Sequence, residues 1–261
     1  MNAGSRCHNF LIGKFITMKF YKIISITSVL LLIGMFYSGC EKTIPITGTP
    51  TTNFNSTSFV QIFNGTVKAT RNYAYVDATP VSGVTFSAGG VFPATAFAFN
   101  VQSGSRNFLI KDTLVTTTQA PLNFTENVEG SKSYTIFMYD TITSPKEVMI
   151  ANTIEVPTDS TSRLRFANII YNSAAVPNVD VYSFRRGTST PVFTNIATNA
   201  VTPFIPYASG STDTLYVYAT GTTSPLIVKT LIPSLTPQRS YTAAYNGSYR
   251  GTKTISTFVT Y

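Results

Sequence analysis

From Phe59 to the C-terminal end, β-branched and aromatic residues come in runs of about five to seven, broken by Gly, Pro, Asn and Ser at intervals of roughly 8–12. No window carries an apolar stripe of 3.6-residue period, so the pattern predicts strands throughout and no amphipathic helix. Some strands show the two-residue alternation directly. In Asp213-Thr214-Leu215-Tyr216-Val217-Tyr218, Leu215 and Val217 share one face and the two tyrosines the other. In Asn178-Val179-Asp180-Val181-Tyr182 the two valines again face together. The valine and leucine faces are the expected core; the tyrosine faces are expected to line a seam between domains or to meet solvent.

The pattern repeats. Phe59-Val60-Gln61-Ile62-Phe63-Asn64 is similar to Arg163-Leu164-Arg165-Phe166-Ala167-Asn168, Phe108-Leu109-Ile110 to Tyr216-Val217-Tyr218, and Ser133-Tyr134-Thr135 to Ser240-Tyr241-Thr242. A nearly constant offset across three elements predicts tandem copies of one unit of about immunoglobulin size. The polar stretch Pro157-Thr158-Asp159-Ser160-Thr161-Ser162 is the natural boundary, placing the units at residues 59–157 and 158–261. Residues 41–58, rich in Thr, Pro and Asn, read as a disordered tether. The expected class is all-β: two tandem immunoglobulin-like antiparallel β-sandwich domains after a lipoprotein signal peptide and tether.

That signal peptide is read from residues 18–40. Lys19 and Lys22 form a positive start, and the apolar run from Ile23 to Phe36 is too short for the ~20 residues that span a bilayer. It ends in Met35-Phe36-Tyr37-Ser38-Gly39-Cys40, which resembles a bacterial lipobox and makes Cys40 the expected lipidation site. Several acyl chains, each methylene stabilising by about 0.8 kcal/mol, hold such a cysteine at a membrane. Met18-Lys19-Phe20-Tyr21-Lys22 already reads as a complete signal-peptide start, so residues 1–17 are expected to be a misassigned extension. Tyr37 stands where enterobacterial lipoboxes prefer Leu, a variation resembling envelope lipoproteins of Bacteroidetes. Glu41 after the anchor differs from the Asp that retains such proteins at the inner membrane, which points to the outer membrane, on its periplasmic or cell-surface face.

Composition narrows the chemistry. The formal charge is +8, but four of the 19 bases precede Cys40, and the remaining 15 against 11 acids are scattered; this is no nucleic-acid footprint. His8 and Cys7, the only histidine and the only other cysteine, lie in the segment expected to be absent. Ser-His-Asp or Cys-His catalysis and His- or Cys-based zinc sites are thereby excluded. No catalytic residue, metal site or cofactor is expected. Carboxylate chemistry, which needs two acids at about 5–10 Å, survives the filter. The closest acids in sequence are Glu126 and Glu129, expected in a polar loop with at most a weak affinity for cations.

At Arg163-Leu164-Arg165-Phe166-Ala167-Asn168, then Pro177-Asn178-Val179-Asp180-Val181-Tyr182, then Tyr241-Thr242, the second half resembles the family called domain of unknown function 4397. The resemblance departs at residues 169–176 and is far weaker in the first half, where Tyr73-Ala74-Tyr75-Val76-Asp77 stands for the second motif. It implies a β-sandwich of bacterial envelope or secreted proteins and brings no catalytic residues. Asp180, its most motif-like polar residue, is expected to point outward and cap a turn through backbone N–H groups. Asp-Ser/Thr followed by a methyl-bearing residue recurs at Thr113, Thr141, Ser160 and Thr214, similar to an O-glycosylation motif of Bacteroidetes envelope proteins.

The expected function is a non-enzymatic, lipid-anchored cell-envelope module for interaction, adhesion or scaffolding. Its partners are the membrane, through Cys40, and an envelope protein or a glycan. The alternative is a glycan-binding accessory lipoprotein of a polysaccharide-uptake system, with Tyr207, Tyr216, Tyr218, Tyr245 and Tyr249 as stacking platforms. A co-planar exposed row of these rings would favour it.

Overall fold

The computed structural model describes residues 54–94 and 98–260. Residues 1–17, the expected signal peptide 18–40 with Cys40, and residues 41–53 of the expected tether lie outside the described residues.

Sequence runs become strands in the order β1 (Thr57–Asn64), β2 (Asn72–Val76), β3 (Thr79–Pro80), β4 (Val91–Phe92), β5 (Phe99–Gln102), β6 (Gly104–Asp112), β7 (Leu122–Val128), β8 (Ser133–Thr141) and β9 (Ser144–Ala151). The second set is β10 (Ser162–Asn168), β11 (Val179–Arg185), β12 (Thr188–Ile196), β13 (Ala200–Val201), β14 (Ile205–Tyr207), β15 (Asp213–Ala219), β16 (Val228–Ile232), β17 (Ser240–Gly247) and β18 (Lys253–Val259). They form two sandwiches of the same plan. One sheet of the first is ordered β4-β1-β8-β9, with β5 also on β1, and its partner is β3-β2-β6-β7. The second repeats this as β13-β10-β17-β18, with β14 also on β10, facing β12-β11-β15-β16.

The sheets are not wholly antiparallel. β1 runs parallel to β8 and β10 parallel to β17, in the same register: Gln61 lies opposite Thr135 as Arg165 lies opposite Thr242. A parallel pair needs a long crossover, and here the rest of each sandwich supplies it. Of the residues expected to form a tether, those from 54 to 58 are structured. A 3₁₀ turn spans Phe54–Ser56, and Thr57 and Ser58 already pair with Gln102 and Val101. Their hydroxyl-bearing side chains look solvated in sequence, but Ser58 is buried and its Oγ donates to the Glu129 carbonyl.

Among the described residues, three apolar clusters separate four sheet layers. Val60, Ile62, Phe108, Ile110, Ile136 and Met138 fill the first sandwich; Leu164, Phe166, Val181, Leu215, Val217 and Tyr245 fill the second. The third cluster joins Phe63 and Phe137 to Ala167, Ile169, Ala244 and Phe258, so the β1/β8 and β10/β17 sheets pack against each other. Phe63 and Phe258 stack across this seam at 5.2 Å with planes 11° apart. Gly65 is required there: a Cβ would sit 2.6 Å from the Met138 carbonyl oxygen and 2.7 Å from Ile169 Cδ1.

This layering explains the two sequence textures. β8 and β17 are buried on both faces and read as continuous runs, whereas β2 and β15 are covered on one face and alternate. The two inner sheets therefore meet at the seam, and the outer faces of β2/β6 and β11/β15 are turned away from it.

Candidate functional site

The outer face of β11, β15 and β16 gathers four aromatic rings outside the cores. With Val181, Leu215 and Val217 pointing inward, the period of two turns Tyr182, Phe184, Tyr216, Tyr218 and Lys229 outward. Tyr216 and Tyr218 have ring centroids 6.3 Å apart and planes within 6° of parallel. Tyr182 meets Tyr218 edge-on at 5.7 Å, and Phe184 meets Tyr216 edge-on at 5.5 Å. Edge-to-face contacts of this kind hold each ring upright and limit the entropy a ligand would have to remove. Lys229 Nζ stands 5.8 Å from the Tyr216 centroid, within cation–π range. Phe184 remains 40% exposed and Leu231, opposite Thr214, 66% exposed, so the face is apolar as well as aromatic.

A smaller version occupies the corresponding face of the first sandwich. Tyr73 and Tyr75 lie 5.6 Å apart, and Lys111 Nζ is 5.1 Å from the Tyr75 ring. These three, with Leu114, Val115 and Pro121, border a cleft of about 540 Å³.

The tyrosines singled out in sequence are thus divided. Tyr216 and Tyr218 stand together, half-exposed. Tyr207 and Tyr245 are buried and cannot act as stacking platforms. Tyr207 is drawn inward because its hydroxyl donates to Asp213; burial, then this hydrogen bond, raises its pKa. Tyr245 packs on Phe166 at 6.5 Å inside the second core. Tyr249 is half-buried beside Lys253 and apart from the row. Tyr182, Phe184 and Lys229 were missed, although the inward valines of β11 already implied that Tyr182 and Phe184 share the opposite face.

Most aspartates are engaged in local structure. Asp180 is buried rather than exposed, and accepts from the Asn195 N–H at 2.7 Å, the Gly221 N–H at 2.9 Å and Thr220 Oγ1 at 3.1 Å. Burial pushes its carboxyl up, but these donors outweigh that and hold it below the ordinary value. Asp213 accepts from Ser183 and Tyr207, and Arg185 lies 3.5 Å away. Asp77 pairs with Arg106 at 2.9 Å, and Asp140 with Lys146 at 2.8 Å. One like-charged pair was invisible in sequence: Glu147 on β9 has its pKa raised by burial and by Glu126 on β7. Glu129 is exposed and its carbonyl accepts from Ser58. Among the described residues no three acids, histidines or cysteines gather as a metal site.

The four Asp-Ser/Thr positions are dispersed. Thr113 is exposed after β6, Thr141 half-buried at the end of β8, Ser160 exposed before β10, and Thr214 half-buried within β15. Cys40 lies outside the described residues.

Residues 58–182 match the family model described as domain of unknown function (DUF4397). The match includes both motifs at residues 163–168 and 177–182, but it covers the whole first sandwich and stops within β11. The matched range thus joins the half in which the motif order is less apparent to the two motif strands of the second. No curated protein matches the chain.

Proposed function

Given that residues 58–182 carry a DUF4397 domain, we propose that this protein is a non-enzymatic, lipid-anchored cell-envelope module that binds a partner through its outer aromatic face. One observation supports this reading above the others: the interlocked Tyr182, Phe184, Tyr216 and Tyr218 on β11 and β15. Large rings left half-exposed, flanked by a lysine and an exposed leucine, match the composition of binding surfaces and are costly to leave in water. The lipid on Cys40 would tether the module at the outer membrane.

Among partners, a neutral glycan is favoured. The parallel Tyr216 and Tyr218 rings offer faces for sugar C–H surfaces, and Lys229 and Thr214 beside them offer hydroxyl-directed hydrogen bonds. The test is calorimetric titration of the purified protein with a panel of envelope and dietary polysaccharides, alongside the Y216A/Y218A variant. Saturable binding that weakens by about tenfold or more in the variant is expected. Binding unaffected by the variant would remove this face from the proposal. Mass spectrometry of the N-terminal peptide tests the anchor separately: an acylated Cys40 is expected, and an unmodified one would refute it.

A further inference from the structure

The two ends of the seam are related by the internal repeat, and they differ in chemistry. The matched registers place Phe59 and Gln61 of β1 where β10 has Arg163 and Arg165. At one corner Phe59, Ile154, Val156 and Val259 border a cleft whose lining also includes Glu155 and Arg239. Next to it Gln61 Nε2 donates across the seam to the Val259 carbonyl at 2.9 Å. The seam is therefore closed on that side by a neutral side chain.

At the other corner stands Arg165, 2% exposed. Its Nε donates to Thr242 Oγ1 at 2.8 Å and its Nη2 crosses the seam to Thr135 Oγ1 at 2.9 Å. The rings of Phe204 and Phe137 lie 4.7 and 5.4 Å from the guanidinium. Its Nη1 makes no hydrogen bond among the described residues, and no carboxylate pairs with it there. Arg165 borders a cleft of about 320 Å³ together with Arg163, Thr153, Thr202 and Phe204. Arg163 is likewise outside any ion pair among the described residues, its Nη1 donating to Thr161 Oγ1 and the Ser162 carbonyl. Glu155, exposed, is the one acid of this lining, and exposed Asp159 is near enough to Arg163 to feel its charge.

A buried guanidinium without a counter-charge is destabilising, and the repeat shows that the seam can be built with glutamine in its place. We propose that this corner, between β9, β10 and β13, is a binding site for a small oxyanion group, a carboxylate or a phosphate, held by Arg165 in its depth and Arg163 at its mouth. The anion supplies the missing counter-charge and links the two sandwiches through a cleft to which both contribute. Burial alone lowers the Arg165 pKa to about 9, so the guanidinium stays charged at neutral pH.

The test uses the purified full chain, with sodium acetate and sodium phosphate as separate probes at constant ionic strength against sodium chloride. Saturable binding heat and a rise in Tm of about 3–6 °C at ten times Kd are expected with one or both. Acetate alone identifies a carboxylate site, phosphate alone a phosphate site. R165M should abolish the response and R163A weaken it by about tenfold, the worth of one charge-assisted hydrogen bond. Should R165M fail to fold, R163A still decides the matter, since its side chain is not part of the buried seam. Equal Tm shifts in all salts, absence of saturable heat, or an R163A response equal to that of the unaltered chain would overturn the site.

Discussion

Phe63→Ala tests whether the seam couples the two sandwiches. Phe63 is fully buried and stacks on Phe258 at 5.2 Å, with Phe137 at 6.2 Å. Truncating a buried Phe typically costs about 3–5 kcal/mol in lost transfer energy and residual cavity, the lost ring pair included. For a folded unit of this size each kcal/mol moves Tm by about 2–4 °C, so a fall of roughly 6–20 °C is expected in differential scanning calorimetry. The ring points away from the first core and into the cluster shared with Ala167, Ile169 and Ala244. The loss should therefore reach both sandwiches. Hydrogen exchange is expected to show reduced protection in β10 and β17 as well as in β1 and β8, and the calorimetric transition should broaden or split. A cost below about 1 kcal/mol, or protection lost in the first sandwich alone, would refute the reasoning that the seam is a common core.

Gly65→Ala should destabilise by about 1–3 kcal/mol in urea unfolding, because the Met138 carbonyl 2.6 Å from the new Cβ is backbone and cannot yield cheaply. Asp180 has a lowered folded pKa, so its contribution is present above the unfolded value of about 4 and is lost as pH falls through the folded one. D180N should accordingly flatten the loss of stability measured by denaturant titration below about pH 4. Glu147 has the opposite sign, since its raised pKa makes ionisation costlier in the folded chain. E147Q should therefore stabilise at pH 7, and the gain should vanish below about pH 4, where both folded and unfolded carboxyls are protonated; a constant gain across that range would show that charge is not the cause.

Much of the architecture was legible because alternation and turn chemistry are local. β11 and β15 announce their inward valines and outward tyrosines, since each is covered on one side only. The repeat at β1/β10, β6/β15 and β8/β17 was legible because equivalent layers need similar residues. The candidate site was only half legible. A period of two says which side of a strand a tyrosine occupies, but not whether that side is later covered. Tyr207 shows this, seated inside by a hydrogen bond to an aspartate six residues away, and Tyr245 shows it again, on a strand with both faces buried.

The sequence by itself determined the strand content, the duplication, the absence of imidazole and thiol chemistry after Cys40, and the outward parity of the tyrosines at 216 and 218. Those follow from residue types and from spacings within one strand. Only the tertiary structure decided the parallel pairing of β1 with β8, the seam through Phe63 and Phe258, the Glu126–Glu147 proximity and the uncompensated Arg165. Each of these depends on groups about 20 to 200 residues apart, brought together by burying faces whose partners no local pattern specifies.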